Sequence, residues 1–205
     1  MHLSKIHIPW TLAKNSYELH QALWRLFPER NHENRDFLFR VESLEKGVGS
    51  KILLQSATKP HLSENSPIIL DMRDYCPAFS KGQRLRFRLR TNPIKTIKDS
   101  TKGTVEKKGK VYTKTVRVPL LHEEQQQEWL ERKLKGLAEL ETLIIQPEPA
   151  LYFRKVKEKR SGKIQPVLFE GILTISEPEL FFELLQKGIG PAKAFGCGLL
   201  SIANI

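Results

Sequence analysis

The stretch Arg84-Leu85-Arg86-Phe87-Arg88-Leu89-Arg90 alternates arginine with a large apolar residue without interruption. Successive side chains of a β-strand point to opposite faces, so this pattern predicts a strand over Arg84–Thr91. Leu85, Phe87 and Leu89 are then expected in the core. The arginines form a row on the opposite face, at a spacing of about 6.7 Å.

The arginine row also suggests what this strand binds. Guanidinium groups at this spacing repel one another unless an anion lies across them. The planar fork of arginine matches phosphate oxygens better than a lysine ammonium does, so the row predicts phosphate contact. The alternative is an exposed strand whose charge protects a sheet edge from aggregation, although lysine is the usual residue for that purpose.

The chain on either side of this strand predicts a repeated α+β arrangement. Before it we expect a helix at Ser16–Phe27 and strands at His2–Pro9, Arg35–Val41, Lys51–Ala57 and Pro67–Met72. After it we expect helices at Glu123–Leu140 and Glu179–Gln186, a hairpin of strands Leu143–Val156 and Ile164–Ile175, and a last strand at Gly198–Ile202. The pattern is βαββαβ in the second half, and the same in the first half with its second helix weak or missing. This predicts two tandem ferredoxin-like (RRM-like) domains with antiparallel sheets, over residues 1–80 and 84–205.

The second domain is expected to carry a basic insertion at about residues 97–116. Residues 97–114 are rich in Lys, Thr and Gly and show no apolar periodicity. The segment is either a basic hairpin that turns at Lys108-Gly109 or a loop that orders only on binding.

Composition and charge narrow the class of partner. The 205 residues include 34 Lys and Arg against 23 Asp and Glu, a formal charge of +11. Residues 81–117 hold 13 basic and only two acidic residues, which accounts for the whole surplus. This segregation indicates a nucleic acid, because no apolar run reaches the roughly 18 residues of a membrane span and the N-terminus lacks a signal-peptide core. Two cysteines, Cys76 and Cys197, are too few for a disulfide framework, which is typical of a reduced, cytoplasmic chain.

A second basic cluster lies in the predicted hairpin after residue 153, and a further lysine follows in a glycine-rich run. The outward rows are nearly free of aromatic residues and lack the RNP1 pattern, which favours the backbone of a double-stranded RNA stem over stacked single-stranded bases. The candidate RNA-binding residues are Arg84, Arg86, Arg88, Arg90, Lys95, Lys107, Lys108, Lys110, Arg154, Lys155, Lys157, Lys159, Arg160, Lys163 and Lys193.

The glycine-rich run extends over residues 188–198 between the last helix and the last strand. Its glycines, Gly188, Gly190, Gly196 and Gly198, permit positive φ and close backbone approach. It is not a nucleotide-binding P-loop, because GK[ST] is absent and the run joins a helix to a strand. It either offers backbone N–H groups and Lys193 to an RNA backbone or is a tight structural connection.

Metal-ligand spacing is absent from the sequence. There is no HExxH, no CxxC and no acidic cluster with the spacing of a two-metal nuclease, so we expect neither metal nor cofactor. One histidine is suited to metal-free chemistry: Tyr17, His20 and Trp24 lie along one stripe of the first helix, beside the stripe predicted to be buried. An imidazole beside a phenol and near basic strands has the groups needed to cleave RNA through its 2′-hydroxyl. The alternative is a histidine that merely packs.

Several segments together resemble a known family, the CasE family of CRISPR-associated endoribonucleases from type I-E systems. They follow in order over nearly the whole chain: His2-Leu3-Ser4-Lys5, residues 19–24 (LHQALW), residues 35–39 (RDFLF), residues 53–57 (LLQSA), residues 87–96 (FRLRTNPIKT), residues 161–165 (SGKIQ) and residues 188–201.

The resemblance implies a fold and an activity. Family members have tandem ferredoxin-like domains and cut precursor CRISPR RNA at the base of the repeat hairpin without a metal. They then stay on the mature guide as a subunit of the Cascade complex; we expect a monomer when free. The family's catalytic histidine falls on His20, with Tyr17 as a partner, while Tyr17, Lys163 or a water supplies the second proton transfer. The alternatives are a non-catalytic subunit that binds structured RNA and a ribosome-associated or RNA-chaperone protein.

Overall fold

The structure, a computed structural model, describes residues 1–28, 35–62, 67–107, 109–155 and 160–205. It contains two four-stranded antiparallel sheets and three two-stranded ones. Within these ranges no helix is both long enough and apolar enough to cross a membrane.

The first sheet is built from the N-terminal third of the chain. Its elements are β1 (His2–Pro9), α1 (Ser16–Trp24), β2 (Phe37–Glu45), β3 (Gly49–Ser56) and β4 (Ile68–Asp74). The strand order is β2-β3-β1-β4 with every pair antiparallel. α1 covers one face because Leu19, Ala22 and Leu23 are buried among the inward residues of the sheet.

The second sheet is built from the rest of the chain, and smaller ribbons project from it. In chain order the elements are β5 (Arg84–Thr91), β6 (Ile94–Lys98), β7 (Thr104–Lys107), β8 (Lys110–Thr113), β9 (Thr115–Pro119), α2 (Glu123–Leu134), β10 (Ala138–Pro147), β11 (Leu151–Lys155), β12 (Arg160–Ile164), β13 (Val167–Ile175), α3 (Pro178–Lys187) and β14 (Leu200–Asn204). The sheet order is β10-β13-β5-β14. The inward residues of β5 pack against α2 and α3, as the alternating pattern predicted.

These two strand orders confirm the predicted α+β, ferredoxin-like architecture. In each sheet the third strand lies between the first and the second, and the fourth strand pairs with the other side of the first. The described part of the connection between β3 and β4 contains no helix, in agreement with the weak helix signal there.

The helix predicted at Glu123–Leu140 is shorter than expected. α2 ends at Leu134, and Ala138 already belongs to β10, opposite Ile175 of β13. Gly136 causes this change of direction: its φ of +75° is a backbone conformation that a helix cannot use. The apolar residues that suggested a longer helix therefore belong to two elements, the end of α2 and the start of β10.

The basic insertion adopts the hairpin alternative. β6 pairs with β9, and beyond them β7 pairs with β8, with Lys107 opposite Lys110. Gly109 has φ +72°, which suits a tight reversal of the chain. The predicted hairpin of the second basic cluster is also present, as the β10–β13 pair followed by β11–β12.

Candidate functional site

The arginine row of β5 is largely neutralised by the protein itself. Arg84 and Arg88 are exposed, but each is bonded to a carboxylate of its own sheet. Arg84 Nε donates to Glu141 at 2.8 and 3.0 Å, and this bonding lowers the pKa of Glu141 to about 2. Arg88 Nε donates to Glu170 at 2.6 Å. The anions that the arginine spacing requires are therefore carboxylates on neighbouring strands, and among described residues only Arg86 in this row has no acidic partner.

Arg90 corrects the expectation that all four arginines reach phosphate. It is 7% exposed, and its Nε donates to Glu148 at 2.6 Å. Its Nη1 donates to the carbonyl oxygen of Phe195 at 3.0 Å. The strand alternation breaks at this position because the glycine-rich run folds over the outward face of β5. Arg90 therefore supports the glycine-rich loop instead of facing solvent.

The two sheets are joined by buried polar contacts. Arg40 of β2 is 5% exposed and donates to Glu42 at 2.7 Å and to the carbonyl oxygen of Arg88 at 3.2 Å. Gln55 of β3 donates from Nε2 to the carbonyl oxygen of Leu185 at 2.9 Å. These contacts bring α1, carried by the first sheet, next to the loop that follows α3.

The glycine-rich loop is held tightly on both sides. Ile189 donates its N–H to the carbonyl oxygen of Gly198 at 2.9 Å, and Gly198 donates to that of Arg90 at 2.7 Å. A Cβ at Gly190 would lie 2.6 Å from Thr91 Oγ1, so only glycine fits there. All four glycines predicted to be functional have positive φ: Gly188, Gly190, Gly196 and Gly198. This geometry favours the alternative that the loop is a tight structural connection. The loop also carries Lys193, which is described next.

Lys193 lies in a short 3₁₀ turn, Lys193–Phe195, that contacts α1. The turn begins at Ala192, whose φ of +62° is unusual for a residue with a Cβ. Phe195 also packs on Phe153 of β11, with ring centroids 4.8 Å apart. α1, the glycine-rich loop and the β11–β12 ribbon therefore meet around one region.

His20 faces this region from α1. Asn15 caps the helix by accepting hydrogen bonds from the N–H groups of Tyr17 and Glu18 at 3.0 Å. The imidazole is half-buried among aromatic rings, with centroid distances of 6.0 Å to Phe37 and 6.3 Å to Trp24. Its Nε2 is buried, and no described residue forms a hydrogen bond with it.

The environment keeps this imidazole uncharged. Burial, followed by the nearby Arg35 cation, lowers the pKa of His20 to about 4. At neutral pH the ring is therefore free to accept a proton, which is the state required of a general base.

Arg35 is a component that the sequence did not reveal. It lies just before β2, with its guanidinium carbon 5.8 Å from the centroid of Phe37. Its charge also lowers the pKa of Lys193, after burial of that lysine. Arg35 is 15 positions after His20 and outside both basic blocks, so only the fold brings them together. The one signal in the sequence that could have pointed to Arg35 was its place in the family-like segment RDFLF, residues 35–39.

Tyr17, the predicted partner of His20, and His2, the first residue of the family-like segments, are placed differently. Tyr17 is one turn before His20 and half-exposed, and within the described chain its ring is not among those packed on the imidazole. His2 Nδ1 lies 3.0 Å from a carboxylate oxygen of Asp74 on the edge strand β4. The structure therefore gives His2 a partner of its own.

The remaining predicted basic residues fall into three groups. Lys95, Lys110 and Lys163 are exposed, and Lys163 Nζ lies 5.9 Å from the Tyr152 ring centroid. For four others only the strand is described: Lys107 in β7, Arg154 and Lys155 in β11, and Arg160 in β12. Lys108, Lys157 and Lys159 lie outside the described residues.

A basic groove extends between the β6–β9 ribbon, α2 and the glycine-rich loop. It has a volume of about 570 Å³ and includes Gly190 and Pro191 of the loop. Three of its cations were not predicted as RNA ligands, because the charge count did not show that α2 and the strand of Lys95 line the same groove: Arg117, Arg132 and Lys133.

No group of three or more His, Cys, Asp or Glu side chains that could hold a metal ion occurs in the described residues. The groups available for chemistry around α1 are an imidazole, a phenol one turn away, a lysine and an arginine.

Comparison with known proteins gives consistent matches over the whole chain. A family profile described as "CRISPR associated protein" matches residues 1–204. The chain is 44% identical over 205 residues to the CRISPR system Cascade subunit CasE of Escherichia coli strain K12, with all of both chains covered. It is 34% identical over 204 residues to the CRISPR-associated endoribonuclease Cse3 of Thermus thermophilus, covering 92% of this chain and 90% of the relative. The solved structure of CRISPR endoribonuclease Cse3 bound to a 19-nucleotide RNA matches with a TM-score of 0.78 at 31% identity, covering 99% of this chain and 100% of that one.

Proposed function

This chain belongs to the CasE family of CRISPR-associated proteins, and we propose that it is a metal-independent endoribonuclease that cleaves precursor CRISPR RNA at the base of the repeat hairpin. After cleavage it stays bound to the mature guide RNA as a subunit of Cascade. The relatives support both parts of the proposal: one is named a Cascade subunit, and another is named an endoribonuclease and has been solved with RNA.

The observation that carries the proposal is the state of His20. It is an uncharged imidazole whose Nε2 has no partner among the described residues, beside the Arg35 cation and on a helix that contacts the turn of Lys193, in a chain of this family. A histidine that only packed would be expected to satisfy its buried nitrogen, since an unpaired buried polar atom costs about 1–3 kcal/mol.

The proposed reaction is an internal transesterification. His20 Nε2 takes the proton of the ribose 2′-hydroxyl, and O2′ attacks the adjacent phosphorus to give a pentacoordinate phosphorane. The P–O5′ bond then breaks, and the departing O5′ receives a proton from Tyr17, Lys163 or a water. The products are a 2′,3′-cyclic phosphate on one fragment and a 5′-hydroxyl on the other. Lys193 and Lys163 stabilise the charge that develops on the phosphorane.

We place the RNA stem along the basic ribbons and the groove that lie next to the second sheet. Residues 1–80 form the domain that carries His20, and residues 84–205 form the domain that carries the stem-binding cations. The exposed Lys95, the basic groove described above and the β11–β12 ribbon supply phosphate contacts. Arg90 is not included, because its guanidinium is occupied by Glu148 and the loop.

A cleavage assay tests the proposal. A hairpin RNA carrying the CRISPR repeat of the source genome is incubated with the full chain in the presence of EDTA, and the products are sized and tested for a 5′-hydroxyl. We expect one cut at the base of the hairpin, and none in the same RNA with a 2′-deoxy nucleotide at the scissile position. The variant His20→Ala should bind the hairpin as tightly as the wild type and lose cleavage.

The matched control is His122→Ala, which removes an exposed imidazole that makes no capping hydrogen bond at the start of α2. This variant should cut normally. Normal cleavage by His20→Ala would refute the assignment of the base. Tight hairpin binding by the wild type without any cleavage would favour the non-catalytic RNA-binding subunit.

A further inference from the structure

We infer that Arg35 is a catalytic residue that, together with Lys193, holds the scissile phosphate beside His20 and makes proton uptake by His20 depend on that phosphate. This inference rests on the proposed function, and it adds to that function a residue from the segment before β2. Three observations carry it: two cations without carboxylate partners among the described residues, two buried nitrogens with no described partner in side chains that lie against the same aromatic ring, and the charge coupling among these groups.

The first observation concerns the two cations. Arg35 and Lys193 are both half-buried, and each lacks a carboxylate within ion-pair distance among the described residues. Lys193 Nζ instead donates to the carbonyl oxygen of Lys187. By contrast, Arg88 bonds Glu170 of the adjacent strand, and Arg90 bonds Glu148, the residue that follows β10. Partly desolvated like charges held near one another favour an anion between them, and a phosphodiester oxygen has the required charge.

The second observation concerns geometry around Phe37. The Arg35 guanidinium carbon lies 5.8 Å from the centroid of this ring, and the His20 centroid lies 6.0 Å from it. Arg35 Nε and His20 Nε2 are both buried, and neither has a hydrogen-bond partner in the part of the chain that the structure describes. One is an N–H donor suited to a non-bridging phosphate oxygen, and the other is an acceptor suited to the 2′-hydroxyl. Both atoms are covered, so binding of the phosphate and of the 2′-hydroxyl requires the side chains around them to move.

The third observation is electrostatic coupling. The Arg35 cation acts on both His20 and Lys193, and in each case it lowers the pKa of its neighbour, after burial. The other groups packed on the imidazole are Trp24, Phe37 and Phe39, which carry no charge, and Tyr17 lies one turn away on α1. A phosphodiester monoanion bound to Arg35 offsets its charge and so raises the proton affinity of His20. The base therefore becomes stronger when the substrate phosphate is in place.

The test combines cleavage with direct titration of His20. Single-turnover cleavage of the repeat hairpin at saturating protein is measured for the wild type, Arg35→Gln, Arg35→Lys and Lys193→Gln. The pKa of His20 is measured by NMR on ¹³Cε1-histidine-labelled full chain, with and without the hairpin that carries 2′-deoxy at the scissile nucleotide. Arg73→Gln is the matched control, since it removes an arginine that also lies over an aromatic ring, 5.8 Å from the Tyr75 centroid on the edge of the first sheet.

We expect Arg35→Gln to slow cleavage by about 10- to 100-fold, the usual effect of losing a charge-assisted hydrogen bond to the reacting group, and Arg35→Lys to recover most of the rate. The non-cleavable hairpin should raise the pKa of His20 in the wild type. In free Arg35→Gln that pKa should already be higher than in the free wild type, and the hairpin should shift it less. Arg73→Gln should behave as the wild type in every measurement.

The inference is overturned if Arg35→Gln cleaves at the wild-type rate and leaves the titration of His20 unchanged. If Arg35→Gln does not fold, Arg35→Lys and Lys193→Gln decide the same question. The inference is refuted if the hairpin leaves the pKa of His20 unchanged in these two variants and in the wild type. A wild-type chain that binds the hairpin without cutting it would instead refute the proposed function, while the titration still decides whether Arg35 and a bound phosphate control His20.

Discussion

Replacing Arg90 by methionine distinguishes a structural arginine from one that binds RNA. In the structure the Arg90 side chain is 9% exposed and bonds Glu148, whose side chain is 27% exposed. Methionine keeps most of the apolar stem and removes the charge, which leaves Glu148 unpaired and the loop carbonyl of Phe195 without its donor. Losing one partner of a buried ion pair costs about 3–5 kcal/mol.

The expected loss for Arg90→Met is about 3 kcal/mol, the lower end of that range, because water still reaches part of Glu148. For a chain of this length, the melting temperature should fall by about 6–12 °C. Urea denaturation followed by circular dichroism measures the free energy of unfolding. Glu148→Gln should recover part of the loss when it is added to Arg90→Met, because the remaining charge no longer lies unpaired.

Arg86→Met is the control from the same strand, since Arg86 is exposed and has no acidic partner in the described chain. Its free energy of unfolding should stay within about 0.5 kcal/mol of the wild type. RNA affinity is measured for both variants over a range of salt concentrations. A contact with phosphate contributes about one to the slope of log K against log salt, so Arg90→Met should leave that slope unchanged. Unchanged stability together with a slope lower by about one would refute the structural role of Arg90.

Three further predictions follow from other parts of the structure. The folded state lowers the pKa of His20 from 6.5 to about 4, so the unfolded chain binds a proton first as the pH falls. The stability that the uncharged imidazole provides is therefore complete above pH 6.5 and is lost as the pH falls towards 4. Urea denaturation should show a loss on the order of 1–3 kcal/mol in the wild type and none in His20→Asn. Glu170→Gln should remove the 2.6 Å ion pair of Arg88 and leave only the longer one to Glu42 at 3.7 Å. The affinity for a repeat hairpin at low salt should rise and its salt dependence should steepen; an unchanged slope would show that this arginine does not reach phosphate. Iodoacetamide should alkylate the exposed Cys76 of the folded chain and spare Cys197, because Cys197 is fully buried and burial raises the pKa of its thiol to about 11. Mass spectrometry of the native and the urea-unfolded chain measures which cysteine is alkylated. Modification of Cys197 before unfolding would contradict the prediction.

Local pattern was sufficient for most of the elements. β1 and β5 have the predicted bounds, because period-two alternation is a property of a few adjacent residues. The end of α2 was wrong, since Leu137 and Leu140 continue a helical spacing that the backbone abandons at Gly136. A periodic pattern carries no information about the φ angle of the residue that interrupts it.

The same distinction between local pattern and tertiary contact applies to the residues of the candidate site. His20 was a candidate because α1 and its apolar stripe could be read locally, whereas its role as base stays a proposal. Arg90 looked the same as Arg88 in the alternating strand, and only the return of the glycine-rich loop over β5 distinguishes a buried guanidinium from an exposed one.

The amino-acid order alone determined the two ferredoxin-like repeats, the segregation of basic charge and the helix that carries the imidazole, because each depends on neighbours within a few residues. The tertiary structure decided which charges are free. Arg90 pairs with Glu148 across 58 positions, and Lys193 comes to lie near Arg35, which itself lies near His20, although it is more than 150 positions away in the chain. Electrostatic energy depends on separation in space and on exclusion of water, and neither quantity can be obtained from separation along the sequence.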